Sequence, residues 1–487
     1  MRFFILLIAL GSTLVLNAQS KTIFRHACDG DRAQLDSLLQ TTDINVRSKN
    51  ESNLLHFAAY CSQEAVFHEL IERGIDLQAK NKYGDSPLMY AVLRRNLPMT
   101  QALLERKVDV NTMNTDSLTP LFNAVQADQK ELVTLLIQAG ADINLGKPLL
   151  HKAVLNNSLE VVKQLIGETT DIDARNEYGN TPLALALRED NMEIAEYLLK
   201  QGADKAKVPT YHKQGHYLGE QQPDSIPLLF SKGFIATENF VHSPTFSPDG
   251  KELYYTVESW RYHGGTVFVT EQDANGTWSS PKPMEIDGDY REIDPFLSAD
   301  GNTLYYCTDR PVMPSDSTRT NCDMWLLQRK DEGWSAPQYM GERVNSGEHH
   351  DWFPTLSNDG TLYFSTGPNR TSNIVYAESK NGVYQAPQDL GPAVNSESRD
   401  YDPTIAPDQS FLIFSSNRAN GYGSVDLYIS FRDAQGEWTE AKNMGPLINT
   451  NTIEFAPRLS PDGRFLFFNR EGSIYWVSTK GIASLKD

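Results

Sequence analysis

Two rhythms of apolar residues divide this chain. Through its first two-fifths, apolar positions recur at helical spacing, as in Leu132, Val133, Leu135 and Leu136, or Ile194, Ala195, Leu198 and Leu199. That spacing gathers side chains on one face of a helix. Beyond about residue 225 the rhythm shortens, and aromatic runs such as Leu253-Tyr254-Tyr255 and Phe465-Leu466-Phe467-Phe468 follow turns of the Pro-Asp-Gly type. Short apolar runs bounded by turn residues predict strands. A chain of 487 residues is too long for one core, so the helical and strand parts are expected to be separate domains.

The helical part repeats. Asn53-Leu54-Leu55-His56, Ser86-Pro87-Leu88-Met89, Thr119-Pro120-Leu121-Phe122, Leu149-Leu150-His151 and Thr181-Pro182-Leu183-Ala184 each begin a helix, most of them 33 residues apart. Thr or Ser before Pro supplies a capping oxygen, followed by the one residue that needs no N–H in the first turn. Gly74, Gly140 and Gly202 stand where second helices must end in a left-handed residue. The pattern resembles the ankyrin repeat, with six copies over residues 20–206 and a degenerate first copy around Ile23 to Val46. The resemblance implies a protein-binding surface made of hairpin tips and first helices. It also implies that His56 and His151 are structural, bridging neighbouring repeats. The hairpin between Asn144 and Leu149 is shorter than the pattern.

The strand part repeats with a longer period. Ser243-Pro244-Thr245-Phe246-Ser247-Pro248-Asp249-Gly250 has counterparts around Pro295, Pro354, Pro403 and Pro457, which are 51, 59, 49 and 54 residues apart. A second element, as in Gly333-Trp334-Ser335-Ala336-Pro337, precedes the outer strand of each unit but is missing after Trp476. A period near fifty, with four strands per unit, predicts a β-propeller. Ile226 to Phe230 are expected to supply the missing outer strand and close a ring of five blades, or six if the tail forms a partial one. The expected fold is thus multidomain, an all-α ankyrin solenoid followed by an all-β propeller. A polar joint at residues 207–224 links them. Residues 225–487 resemble the WD-like repeats of TolB-type periplasmic proteins.

Equivalent positions on innermost strands surround the central channel. Three residues before each repeat proline stand Val241, Glu292, Asp351, Asp400 and Glu454. One residue before it stand Ser243, Asp294, Phe353, Asp402 and Ala456, with Trp352, Tyr401 and Phe455 between. Two readings follow. The carboxylates Glu292, Asp294, Asp351, Asp400, Asp402 and Glu454, with Trp352 and Tyr401, form a ligand ring for a hard cation such as structural Ca²⁺, a glycan or a peptide. Alternatively, Arg310, Arg370, Arg418 and Arg470, which recur at the end of the second strand in the same four blades, pair with Glu292, Asp351, Asp400 and Glu454 and lock each blade. His349 and His350 are candidate metal ligands, although neighbours on a strand point to opposite faces. Asp287-Gly288-Asp289 lacks EF-hand spacing.

Charge and the N-terminus narrow the function. A net charge of -19 disfavours nucleic acid and anionic membranes as partners. Arg2, the apolar stretch Phe3 to Leu16 and the small residue Ala18 before Gln19 read as a signal peptide over residues 1–18. The propeller runs almost to Asp487, so the periplasm is the expected location, with secretion second. Cys307 and Cys322 are expected near one hairpin mouth, where a disulfide fits, and Cys28 and Cys61 as packed free thiols. No nucleophile elbow, zinc-protease or phosphate-loop motif occurs. The reading is an exported protein-interaction scaffold with two platforms and no cofactor. Its alternative is a carbohydrate- or peptide-active hydrolase or lyase with its site on the propeller face.

Overall fold

The computed structural model describes residues 18–167, 170–189, 191–209, 213–237, 239–258, 264–286, 290–313, 321–368 and 371–486. The expected signal segment, Asp287-Gly288-Asp289 and Arg370 fall wholly or mainly outside them. The chain forms two compact units that divide between Pro209 and Thr210. Among the described residues, no helix is long and apolar enough to cross a membrane.

The described residues of the first unit stack as six helix pairs, from Ala18–Asp29 with Arg32–Leu39 to Pro182–Arg188 with Met192–Lys200. The expected caps are present: Ser86, Thr119 and Thr181 accept N–H groups at the starts of their helices. Asn53 and His56 satisfy one another's backbone in a capping box. One continuous core of Leu, Val, Ala and Phe runs through the stack. A ladder joins consecutive hairpins. The side chains of Asn45, Gln78, Asn111 and Asp173 accept the N–H groups of Asp76, Asp109, Asp142 and Asp204. Each link spans one repeat, so the stack needs no long-range strand pairing.

Cys28 and Cys61 are disulfide-bonded across 33 residues, with their Cα atoms 5.1 Å apart. This corrects the expectation that both are free thiols. Their separation equals the repeat period, and stacking places equivalent positions of neighbouring repeats side by side. Cys307 and Cys322 are both buried and free, which corrects the expected disulfide there. Cys307 lies opposite Met324, two residues beyond Cys322, so the thiols meet diagonally rather than face to face.

The described residues of the second unit form five four-stranded sheets. Blade 1 comprises Phe240–Phe246, Glu252–Glu258, Thr266–Glu271 and Lys282–Pro283. Blade 2 comprises Glu292–Leu297, Thr303–Thr308, Asp323–Gln328 and Gln338–Tyr339. Blade 3 comprises His350–Leu356, Leu362–Gly367, Asn373–Ala377 and Gln388–Asp389. Blade 4 comprises Asp400–Ile405, Phe411–Ser416, Asp426–Phe431 and Lys442–Asn443. Blade 5 is made of Glu454–Leu459, Phe465–Arg470 and Ser473–Ser478, with Leu228–Leu229 added antiparallel to its third strand. The early strand thus completes the last blade, and the ring has five blades. Part of the expected linker belongs to this unit. Tyr217 and Leu218 are buried, and Tyr217 packs against Phe246, Phe465 and Trp476 where blades 5 and 1 meet.

The repeat proline explains the shape of each innermost strand. Proline has no N–H for a ladder. In all five blades the register shifts around it, for example between His242 and Thr245. The residue before it turns left-handed, with φ of 52°, 56°, 59°, 52° and 53° at Ser243, Asp294, Phe353, Asp402 and Ala456. Such a bulge bends the strand and re-aims its side chains. Four of the five turned N–H groups find a side chain on the preceding blade: Asp294 to Thr256 Oγ1, Phe353 to Cys307 Sγ, Asp402 to Ser365 Oγ and Ala456 to Ser415 Oγ. Cys307 therefore occupies an acceptor position filled elsewhere by Thr or Ser.

Candidate functional site

The bulges sort the ring residues into two groups. The carboxylates at the strand starts turn into their own blades. Asp351, Asp400 and Glu454 each accept both the N–H and the hydroxyl of a preceding residue, Ser346, Ser396 and Thr450 respectively. Arg418 pairs with Asp400 at 3.0 Å, and Arg470 with Glu454 at 2.9 Å. Arg370, the counterpart for Asp351, lies outside the described residues. Glu292 accepts from Thr266 at 3.4 Å. Arg310 lies over the rings of Tyr290 and Trp325. Burial raises the Asp351 carboxyl above its ordinary range. Among the described residues, no group of three or more His, Cys, Asp or Glu could hold a metal ion.

A repeat that the sequence reading missed fixes these loops. Val344-Asn345-Ser346, Val394-Asn395-Ser396 and Ile448-Asn449-Thr450 are equivalent. Each Asn side chain accepts from and donates to one backbone residue of its blade's third strand, namely Met324, Ile374 and Leu427. The following Ser or Thr then binds the ring carboxylate. The signal was present as a Val/Ile-Asn-Ser/Thr triplet at near-blade spacing.

The carboxylates one residue before proline form a second, buried cluster. Ser243 donates to Asp294 Oδ1 at 2.7 Å, and His242 Nδ1 lies 3.4 Å from the same oxygen. His242 Nε2 faces Glu258 at 3.5 Å. Burial pulls the imidazole pKa down, but Asp294 and Glu258 outweigh it and push it up to about 9. Burial opposes ionisation of Asp294 too, and His242 and Ser243 nevertheless hold its carboxyl below the ordinary value. The Trp352 indole N–H donates to Asp402 Oδ1 at 3.2 Å. Burial, and then the nearby Asp294 charge, push Asp402 up to about 7. Arg399 lies over the Tyr401 ring at 4.2 Å, and Tyr401 is itself buried.

Arg458 completes the cluster. It is 1% exposed, and none of its guanidinium nitrogens has a hydrogen-bond partner among the described residues. From blade 5 its guanidinium reaches over Phe353 of blade 3, 3.7 Å from the ring centroid, and towards Phe296 of blade 2 at 5.4 Å. Burial lowers its pKa to about 10, against the opposing pull of Asp294 and Asp402. The repeat positions that match it are Thr245, Phe296, Thr355 and Thr404, so one charged side chain lies among Thr and Phe.

The other expected residues are structural in their contacts. His56 contacts the Asp85 carbonyl at 3.1 Å, and burial drops its pKa to about 4. His151 Nε2 contacts the Asn180 carbonyl at 3.0 Å, and burial lowers its pKa. His350 Nδ1 accepts the Cys322 N–H at 3.0 Å, whereas the His349 backbone N–H binds Ser346 Oγ.

With these contacts defined, the comparisons bear on the first unit. Residues 23–114, 80–146 and 121–208 match the family model for ankyrin repeats. Protein phosphatase 1 regulatory subunit 27 of Homo sapiens is 45% identical over 60 residues, which are 12% of this chain and 39% of that protein. NF-kappa-B inhibitor alpha of Gallus gallus is 41% identical over 63 residues, 12% of this chain and 20% of that protein. A crystal structure of an ankyrin repeat domain from Acinetobacter baumannii AYE is 27% identical, with a TM-score of 0.36, covering 38% of this chain and 100% of that one. The chain thus spans two-fifths or less of the length of these curated relatives. The first unit is an array of ankyrin repeats, followed by a five-bladed propeller-like unit.

Proposed function

We propose that this protein is an exported protein-interaction scaffold that takes its partner on the ankyrin hairpin tips. The supporting observation is the set of hairpin-to-hairpin bonds accepted by Asn45, Gln78, Asn111 and Asp173, which orders the hairpins while Lys49, Lys82, Met113, Thr115 and Glu177 stay exposed near their tips. An ordered surface binds with less loss of freedom than a mobile one. The names of the two relatives describe a phosphatase regulatory subunit and an inhibitor, both of which act on other proteins. Export, to the periplasm in the first instance, draws on the apolar N-terminal stretch and on the Cys28–Cys61 bond, which suits an oxidising compartment. The TolB-like resemblance of residues 225–487 points the same way.

The test is affinity capture from the native cell envelope with the full chain and with the full chain carrying Lys49→Glu and Lys82→Glu. The reading expects a protein enriched by the first and lost by the second. Equal enrichment by both, or none, would count against it.

A further inference from the structure

The blade 1–2 and blade 3–4 junctions are built from the same parts, with one part missing from the second. At the first, Arg329 follows the third strand of blade 2 and lies over Trp334, 4.4 Å from its ring. Its fork reaches back to blade 1 and holds the Glu252 carboxylate with both terminal nitrogens, one at 3.0 Å. At the second, Arg432 follows the third strand of blade 4 and lies over Trp438, again at 4.4 Å. The position equivalent to Glu252 is Thr361. No carboxylate lies within salt-bridge distance of Arg432 among the described residues; its guanidinium donates to the Gly436 carbonyl and interacts with the Tyr363 hydroxyl.

A cleft of about 360 Å³ opens there, lined by Asp359, Thr361, Tyr363, Tyr376, Gln409 and Arg432 among others. Its acidic residues are engaged. Asp359 caps its own turn and accepts from Gln409, and Glu378 pairs with Lys380. Gln409 is a second departure from the repeat. It replaces the turn glycine of the other four copies and keeps the left-handed backbone, φ 60°. A side chain there is strained. Its amide spans the junction, accepting from the Tyr363 hydroxyl at 2.8 Å and donating to Asp359 at 2.8 Å. Strain retained in one repeat copy marks places where the side chain has a task.

We propose that the blade 3–4 cleft binds a small carboxylate-bearing ligand, whose carboxylate takes the place on Arg432 that Glu252 takes on Arg329. The volume suits one sugar ring or two amino-acid residues. The shared chemistry is the carboxylate, carried by an acidic sugar or by a peptide C-terminus. The polar hydroxyls and amide of Tyr363, Thr361 and Gln409 would meet the rest of the ligand.

The test is thermal denaturation and calorimetric titration of the full chain with D-glucuronate and with N-acetyl-glycyl-glycine. Glucose and the dipeptide amide are the uncharged controls. At least one carboxylate is expected to raise Tm and give a binding isotherm, with its control silent. A response to glucuronate alone assigns an acidic sugar, and a response to the dipeptide alone assigns a chain terminus. Arg432→Gln should weaken binding at least about tenfold. Thr361→Glu supplies an internal carboxylate and should abolish binding while raising the Tm of the unliganded chain. Silence from both carboxylates, equal responses to the controls, or binding unchanged in Thr361→Glu would overturn the proposal.

Discussion

The Arg458 guanidinium of blade 5 lies over Phe353 of blade 3, 3.7 Å from the ring centroid, although the two belong to non-adjacent blades. The contact crosses the ring and puts a charge among Asp294 and Asp402 in a place closed to water. A buried charge without its counter-charges is costly, and removing one partner exposes that cost. Arg458→Ala should therefore lower stability by about 3 kcal/mol in urea denaturation. Arg458→Lys keeps the charge but lacks a planar face, so it should recover only part of the loss. Wild-type stability in both variants would show that the crossing is incidental.

Asp402 gives the fold a pH dependence. Its folded pKa of about 7 lies above the ordinary carboxylate value. Between roughly pH 4 and pH 7 the folded chain holds a proton that the unfolded chain has released, so stability falls as pH rises through that window. His242 acts at higher pH. Its value of about 9 lies above that of free imidazole, so its contribution is complete below about pH 6.5 and is lost as pH rises through 9. Asp402→Asn keeps an acceptor for Trp352 and removes the first window. Its stability relative to the parent should rise as pH goes from 4 to 8. Melting curves across this range decide it.

Cys307 should tolerate serine. Its sulfur accepts the Phe353 N–H at the position where Ser365 and Ser415 serve the next two blades. Cys307→Ser should cost less than about 1 kcal/mol, whereas Cys307→Val, which leaves that N–H unpaired, should cost about 2 kcal/mol. The comparison of the two denaturation midpoints is the measurement.

The Cys28–Cys61 bond should matter to the helical unit alone. Closing a loop of this length contributes about 3 kcal/mol by restricting the unfolded chain. Reductant, or the paired change Cys28→Ser with Cys61→Ser, should lower the helical melting transition followed by circular dichroism. The strand transition should stay in place, because Cys307 and Cys322 are already thiols.

Repetition made most of the fold legible. Each Thr-Pro or Ser-Pro helix start and each Pro-Asp-Gly turn is a local instruction, so Thr181, Pro244 and Gly250 announce their elements without tertiary information. The closing strand was legible because blade 5 lacked a part that Leu228 and Leu229 could supply. The cluster was less so. Counting back from the repeat proline placed Glu292 and Asp294 in one ring, but the left-handed bulge at Asp294 sends the two carboxylates to different neighbours. Arg458 gave no motif, since its repeat equivalents are Thr and Phe, and only the closed ring brings it to Phe353. The thiols failed for a related reason. Cys307 was read as paired with Cys322 and Cys28 and Cys61 as packed thiols, when repeat stacking pairs Cys28 with Cys61 and the repeated acceptor position claims Cys307.

The central claim is that the ankyrin hairpin tips carry the partner. The most direct test places a photo-crosslinking amino acid at Lys82, on a hairpin, and in a separate full-length protein at Glu131, on the second helix Lys130–Gln138. Illumination in the native host should give a discrete protein adduct from position 82 and none from position 131. Adducts from both positions alike, or from neither, would contradict the claim.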